Sequence, residues 1–280
     1  MAPAKFRDCV ETLVRWGFEP VLGATMASRS ANYFSGTDAE RLEDLQRMLD
    51  DPSIKAVLCA RGGYGTSRII DQLSFRRFRR HPKWLIGYSD ITVLLAHVGR
   101  RYNIAALHAP MAGAFAGGEW GNPYVLSLKA ALEGRKARYE APVHDLNRNG
   151  KAQGQLVGGN LSLVAHLIGT RSGIQTKGRI LFLEDVGEYL YNVDRMMVQL
   201  KRAGLLDQPA ALVIGGFTDN KDTPRPFGTT VEQIIAGHIP AGYPVCFGFP
   251  VSHEKENYAL KTGVEYALTV SPKRIQLKEV

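Results

Sequence analysis

Apolar positions along the chain fall alternately at helical spacing and in short unbroken runs. Phe6, Cys9, Val10, Leu13 and Val14 share one helical face across residues 4–16. Gly17 ends that helix, and residues 18–22 are predicted as a short strand. Residues 23–36 are small and polar and read as loop. Thr37-Asp38-Ala39-Glu40 is a capping-box pattern, and Leu42, Leu45 and Leu49 follow on one face, which predicts a second helix. Ala56-Val57-Leu58-Cys59-Ala60 is a continuous apolar run, as expected of a strand covered on both faces. It breaks into Arg61-Gly62-Gly63-Tyr64-Gly65, with a short helix after it. A second apolar run from Trp84 ends in Gly87-Tyr88. One serine, Ser89, sits at the turn, and Ile91, Leu94, Leu95 and Val98 then recur at helical spacing. Residues 104–107 make one more strand, ending at His108-Ala109-Pro110.

The second half repeats the alternation. Helical spacing is found at 124–132, through Leu161, Val164, Leu167 and Ile168, and at 189–200 and 231–236. Apolar runs at 180–183, 212–214, 245–247 and 264–270 predict strands. Gly, Pro, Asn and charged residues dominate 117–154, which reads as a passage between domains. The predicted layout is an amino-terminal α/β domain over 1–135, a linker over 136–155 and a carboxy-terminal domain over 156–280. Helices alternating with apolar strands imply an α/β fold with a doubly wound parallel sheet. Ligands of such sheets sit beyond the carboxyl ends of the strands.

Composition narrows the class. Hydrophobic residues make up 45% and charged residues 22%, an ordinary globular balance. No apolar run approaches the ~20 residues that span a bilayer. The opening Met-Ala-Pro-Ala-Lys-Phe-Arg has no apolar core of a secretory signal, so a cytoplasmic location is expected, with no membrane partner. Cys9, Cys59 and Cys246 lack CxxC spacing and indicate neither a disulfide framework nor a zinc site. No HExxH or clustered His/Asp set appears, so neither a metal nor a cofactor is expected. Lys and Arg number 35 against 27 Asp and Glu, and the pI is near 9.4. Such a surplus attracts nucleic acid or steers a small polycarboxylate. No nucleic-acid motif accompanies the Arg76-Arg77-Phe78-Arg79-Arg80 run, so it reads as a solvated face and no nucleic-acid partner is expected.

Candidate chemistry gathers at strand ends. Ser89 stands between a strand and a helix, where the first N–H groups of the helix lack intrahelical partners and can face a developing negative charge. The position suits a nucleophile and equally a plain helix cap. The Gly-x-Ser-x-Gly elbow is half matched, with Gly87 present and Ile91 in place of the second Gly. Arg179-Ile180-Leu181-Phe182-Leu183 ends in Glu184-Asp185, and the run from Val245 leads to His253. A serine needs a base to take its proton, and an imidazole serves best with a carboxylate fixing its tautomer. Ser89, Glu184 and His253 supply those groups. Capping of the next helix, or pairing with Arg195, is the plainer role for Glu184 or Asp185. Gly62 and Gly63 let backbone N–H groups approach a ligand, as oxyanion donors or as a tight turn serving only the fold.

Taken in order over nearly the whole chain, several segments resemble the murein tetrapeptide LD-carboxypeptidase family, serine peptidases that include the microcin self-immunity hydrolases. They are Tyr33-Phe34-Ser35-Gly36-Thr37-Asp38 with Arg41 and Asp44-Leu45; Ala60-Arg61-Gly62-Gly63-Tyr64-Gly65; Gly87-Tyr88-Ser89-Asp90; and His108-Ala109-Pro110-Met111. Gly158-Gly159-Asn160-Leu161, Leu183-Glu184-Asp185 with Tyr191 and Asp194-Arg195, and Gly248-Phe249-Pro250 with His253 complete the set. The resemblance implies a Ser89, Glu184, His253 triad and an oxyanion site from backbone N–H groups of Arg61-Gly62-Gly63 and Asp90. It also implies a flavodoxin-like first half, a barrel-like sheet in the second, and a homodimer. The implied reaction releases D-alanine from cytoplasmic muropeptide tetrapeptides during peptidoglycan recycling, and Arg61 is the nearest candidate for the substrate's terminal carboxylate. Two alternatives stand beside it. One is a toxin-cleaving hydrolase of the same family, with Trp120 and Tyr124 as an aromatic platform; the other is a muropeptide-binding protein without catalysis. Family members open with a strand before the first helix, whereas this chain begins at or near that helix, so a missing first strand is expected.

Overall fold

The structure is a computed structural model that describes residues 6–27 and 33–280; the predicted helix positions 4–5 and loop positions 28–32 lie outside them. In chain order the first half runs α1 (Arg7–Arg15), α2 (Asp38–Asp50), β1 (Ala56–Leu58), α3 (Thr66–Ile69), α4 (Arg76–Arg80), β2 (Trp84–Gly87), α5 (Thr92–Tyr102), β3 (Ala106–His108) and α6 (Pro123–Leu132). The second half runs β4 (Arg138–Ala141), β5 (Gly150–Asn160), α7 (Leu161–His166), β6 (Ile180–Val186), α8 (Leu190–Arg202), β7 (Ala211–Thr218), α9 (Val231–His238), β8 (Val245–Cys246), β9 (Leu260–Thr262), β10 (Glu265–Val270) and β11 (Ile275–Glu279). No helix among the described residues is long and apolar enough to cross a membrane.

β1, β2 and β3 pair in parallel, and alternate side chains point to opposite faces. Leu85 and Ala106 join the cluster under α2, α4 and α5; Ile86 and Leu107 join the one under α1 and α6. Helices thus cover both faces, which is why the strand runs read as unbroken apolar sequence. α2 starts as its capping box predicts: the Thr37 hydroxyl accepts from the Glu40 N–H, and Glu40 accepts from the Thr37 N–H. α4 presents its arginines around a wholly buried Phe78.

Residues 18–22 form no strand. Pro20 there lacks an N–H for a ladder and Val21 is exposed, so the apolar count of this stretch had misled.

The second sheet is ordered β4-β11-β10-β5-β6-β7-β8, with β5 to β8 parallel and the rest antiparallel. Residues 136–155, read from sequence as a linker, hold β4 and the first part of β5. Gly, Lys and Gln alternate there, and only cross-strand pairing with β10 makes it a strand. α7, α8 and α9 cover one face through Leu181, Leu183, Leu212 and Ile214; β10 and β11 help to close the other over Phe182 and Val213. The sheet curls until Arg148, just before β5, exchanges two backbone hydrogen bonds with Val245 of β8 at 2.9 and 3.1 Å. The expected barrel-like sheet is a curled sheet whose edges meet at this bridge, with no continuous ladder between β4 and β8 among the described residues.

β9 stitches the halves together. It lies within the second half in sequence, between β8 and β10, yet pairs antiparallel with β3 of the first sheet. Its buried Lys261 reaches Glu279 on β11 at 2.9 Å and the Arg135 carbonyl at 2.8 Å.

Candidate active site

β2 delivers its chain to a tight corner. Ser89 opens a single 3-10 turn, Ser89–Ile91, at the foot of α5, and its φ is +61°. That left-handed conformation costs a non-glycine residue about 1–3 kcal/mol and is held only where surrounding contacts insist on it. A helix cap does not require it: a capping serine has extended backbone. Gly62 is one of those contacts. A Cβ built on it would lie 2.9 Å from the Ser89 Cβ and 3.1 Å from its Oγ. The Gly62 and Gly63 N–H groups donate to no group among the described residues.

Asp90 ties this loop to the serine turn. Its buried carboxylate accepts from the Thr66 N–H at 2.9 Å and the Thr66 hydroxyl at 2.7 Å, so α3 and the Arg61-Gly62-Gly63 loop are fixed against residue 90. The Asp90 N–H falls in the first turn of a helix, where intrahelical acceptors are lacking. Arg61 is exposed and has no hydrogen-bond or ion-pair partner among the described residues.

The second half brings an imidazole against the residue that precedes Ser89. Glu184, wholly buried on β6, accepts from His253 Nδ1 at 2.6 Å. His253 projects from the turn after β8, where Ser252 Oγ accepts from the Glu254 N–H and donates to the Glu256 carbonyl. Burial pulls the His253 pKa down, but the hydrogen bond and charge of Glu184 outweigh it, aided by the charges of Asp185 and Glu254, and the pKa stands above the ordinary histidine value. Its Nε2 is buried and makes no hydrogen bond, to Ser89 or to anything else among the described residues. The Tyr88 ring stands edge-on to the imidazole at 4.9 Å. The residue immediately before Ser89 thus touches the residue held by Glu184.

Two neighbours have no part in the site as read from sequence. His108, at the end of β3, is fully buried between Tyr88 and Phe182, and neither ring nitrogen has a hydrogen-bond partner among the described residues. Burial, and then the His253 charge, push its pKa down to about 3, so it is neutral. Among the described residues Asp185 forms no hydrogen bond or ion pair with Arg195, which bonds Asn192 and lies over Tyr191. Instead it accepts from Asn160 Nδ2, the Ser162 N–H and the Val186 N–H. Burial, opposed by these bonds and joined by the Glu184 charge, raises its pKa to about 7. The Gly158-Gly159-Asn160 sequence was a usable signal, because paired glycines before a capping Asn mark a close backbone approach.

Other polar and aromatic side chains lie away from this corner. His97 is packed in the core against Phe75, with Nδ1 2.8 Å from Ser172 Oγ. Tyr124 belongs to a tyrosine stack with Tyr258 and Tyr139, and Trp120 lies under the Arg15 guanidinium. The three cysteines are free; burial raises each thiol to about 12, which leaves them protonated at neutral pH. No group of three or more His, Cys, Asp or Glu among the described residues is placed to hold a metal ion.

Family models match both halves. That of the LD-carboxypeptidase N-terminal domain covers residues 1–109, and that of the LD-carboxypeptidase C-terminal domain covers 153–268. A probable murein peptide carboxypeptidase of Bacillus subtilis is 35% identical over 97% of this chain and 86% of its own. The murein tetrapeptide carboxypeptidase of Pseudomonas aeruginosa is also 35% identical, over 86% of this chain and 85% of its own. The crystal structure of a muramoyltetrapeptide carboxypeptidase from Oxalobacter formigenes superposes with a TM-score of 0.89 at 27% identity, covering 100% of this chain and 94% of that one.

Proposed function

Because this chain belongs to the LD-carboxypeptidase family, and is thereby a serine-type carboxypeptidase, we propose that it releases the terminal D-alanine of murein tetrapeptides through Ser89, His253 and Glu184. The single observation that carries this reading is the His253 imidazole. Nδ1 is committed to Glu184 at 2.6 Å, and Nε2 is buried, unbonded and next to the Ser89 turn through Tyr88. An imidazole so held has one tautomer and one free basic nitrogen.

In this mechanism Ser89 Oγ attacks the carbonyl carbon of the bond between the diamino acid's L-centre and D-alanine, and Nε2 takes the hydroxyl proton. The tetrahedral oxyanion meets backbone N–H groups of Gly62, Gly63 and Asp90. Collapse breaks the C–N bond, and Nε2 returns the proton to the leaving D-alanine nitrogen. Water, deprotonated by the same nitrogen, then cleaves the acyl-serine ester and frees the tripeptide. Arg61, exposed and unpaired among the described residues, faces the terminal carboxylate of the substrate in this reading. The place of the reaction is cytoplasmic peptidoglycan recycling, with the enzyme acting as a homodimer on free muropeptides.

The test is D-alanine release from L-Ala-γ-D-Glu-diaminopimelate-D-Ala. The parent chain releases it, and Ser89→Ala lowers kcat by about 10⁴-fold or more. Release that survives Ser89→Ala refutes the assignment of the nucleophile; no release by a folded parent refutes the substrate.

A further inference from the structure

We propose that Thr92, Asn160 and Asp185 form a buried positioning bridge that sets the separation between the Ser89 turn and the Glu184–His253 pair. The proposal rests on the reading of Ser89 as nucleophile. It adds residues that touch neither substrate nor the reacting atoms and act through those that do.

The nucleophile and its base come from different halves of the chain, and proton transfer between them requires heavy atoms within about 2.6–3.2 Å. Something must therefore hold the two strand ends in register. Thr92 is the first residue of α5, three positions after Ser89, and it is wholly buried. Its Oγ1 accepts from the Asn160 N–H at 3.2 Å. Asn160 ends β5 and is the register partner of Glu184 on β6. Its amide donates to Asp185 Oδ1 at 2.7 Å. Two hydrogen bonds, one through the Asn160 backbone N–H and one through its side chain, thus join the helix that begins at the nucleophile to the strand that carries the acid.

Close approach is built into the backbone at the same place. A Cβ on Gly159 would fall 2.6 Å from Thr92 Cγ2 and 2.7 Å from its Oγ1, so the end of β5 lies directly on Thr92. Capping of α7 does not account for the arrangement. Asn160 Oδ1 already accepts from the Leu163 N–H, and Thr92 is on another helix. A carboxylate that is 3% exposed is costly to bury, yet Asp185 is placed here with three donors on it.

Asp185 also bears on the base electrostatically. The charges acting on His253 are Glu184 and Asp185 of β6 and Glu254 of its own turn, and His108 of β3 is the neighbouring imidazole. Glu184 is the charged group that acts on Asp185. Replacing Asp185 by Asn removes the part of a negative charge that its carboxyl, raised to about 7, carries near neutral pH, so His253 binds its proton less tightly there.

The experiment uses the full chain with two readouts. One is the rate at which a fluorophosphonate probe labels Ser89, which needs no peptide substrate; the other is kcat and KM for D-alanine release across pH. Thr92→Val keeps the shape and removes the acceptor. It is expected to lower both the labelling rate and kcat by about 10- to 100-fold with KM within about twofold, since displacements near 1 Å carry losses of that size. Thr92→Ser restores the hydroxyl and most of the rate. Asp185→Asn lowers kcat and moves the acid limb of the pH profile to lower pH, which a purely structural role would not do. Thr92→Val that is folded and reacts at the parent rate, or Asp185→Asn with an unmoved limb and labelling rate, overturns the bridge. If the parent labels at Ser89 but releases no D-alanine, only the substrate reading falls and the labelling series still decides the bridge. If Ser89 of the parent does not label, both fall.

Discussion

The Ser89 turn is held by its backbone, whereas the Glu184–His253 pair is held by side chains. The serine corner is assembled from one stretch between Gly62 and Thr92, and its determinants are a positive φ, an absent Cβ and free N–H groups. Glu184 and His253 stand 69 residues apart and owe their contact to a fully buried carboxylate and one 2.6 Å hydrogen bond. The first region is sensitive to what a new side chain would push away. The second is sensitive to what a side chain's charge holds.

Glu184→Gln attacks the second region at its centre and carries the largest effect expected here. It keeps the volume but loses the charge that fixes the imidazole, so kcat should fall about 10⁴-fold, as when the carboxylate of a serine triad is made an amide. Steady-state D-alanine release checks this; a loss under tenfold would make the pair structural. Gly62→Ala is the matching test of the first region. Its Cβ meets Ser89 at 2.9 Å, displacing the serine or the N–H groups proposed to hold the oxyanion, and a loss of about 10² to 10³-fold in kcat is expected, with His253 still paired.

pH separates the regions further. The His253 pKa is raised on folding, so the stability from its pairing with Glu184 is fully present below the unfolded value and is lost as pH rises through the folded one. In the proposed mechanism activity needs neutral His253 and climbs over that same interval. Thermal unfolding and kcat/KM should therefore run in opposite directions with pH. Asp185, raised to about 7, loses stability with rising pH as well, so the His253 part is read as the difference between parent and Glu184→Gln. Parallel trends in that difference would contradict the raised pKa. The smallest effect belongs to Thr66→Val, which removes one of the two hydrogen bonds anchoring Asp90. Denaturant unfolding should register a loss of about 1 kcal/mol, with His253 unaffected.

The same contrast explains what was legible in the sequence. The serine turn is a local pattern, an apolar run, a glycine, a serine and a helical repeat, and it reads correctly from adjacent residues. Glu184 and His253 were visible only as polar residues at strand ends; that they meet depends on sheet register, which single-sequence pattern does not encode. β9 and the first part of β5 were missed because a lysine or alternating Gly, Lys and Gln residues interrupt them, and pairing with distant strands makes them strands. β11 was also missed, although Ile275 and Leu277 alternate with polar residues and are buried, a period-2 signal that the sequence carries. The strand expected at 18–22 failed at Pro20. The Thr92-Asn160-Asp185 contacts join three elements and had no local signature beyond Gly158-Gly159.

The most direct test of the account is where, and through which base, a serine-reactive probe attaches. Treating the folded chain with a fluorophosphonate and mapping the adduct by peptide mass spectrometry should give one modification, on Ser89, absent in Ser89→Ala and slowed about 10³-fold or more in His253→Ala. An adduct on another residue, or labelling of Ser89 at an unchanged rate without His253, would contradict the claim that the two halves of the chain complete one catalytic site.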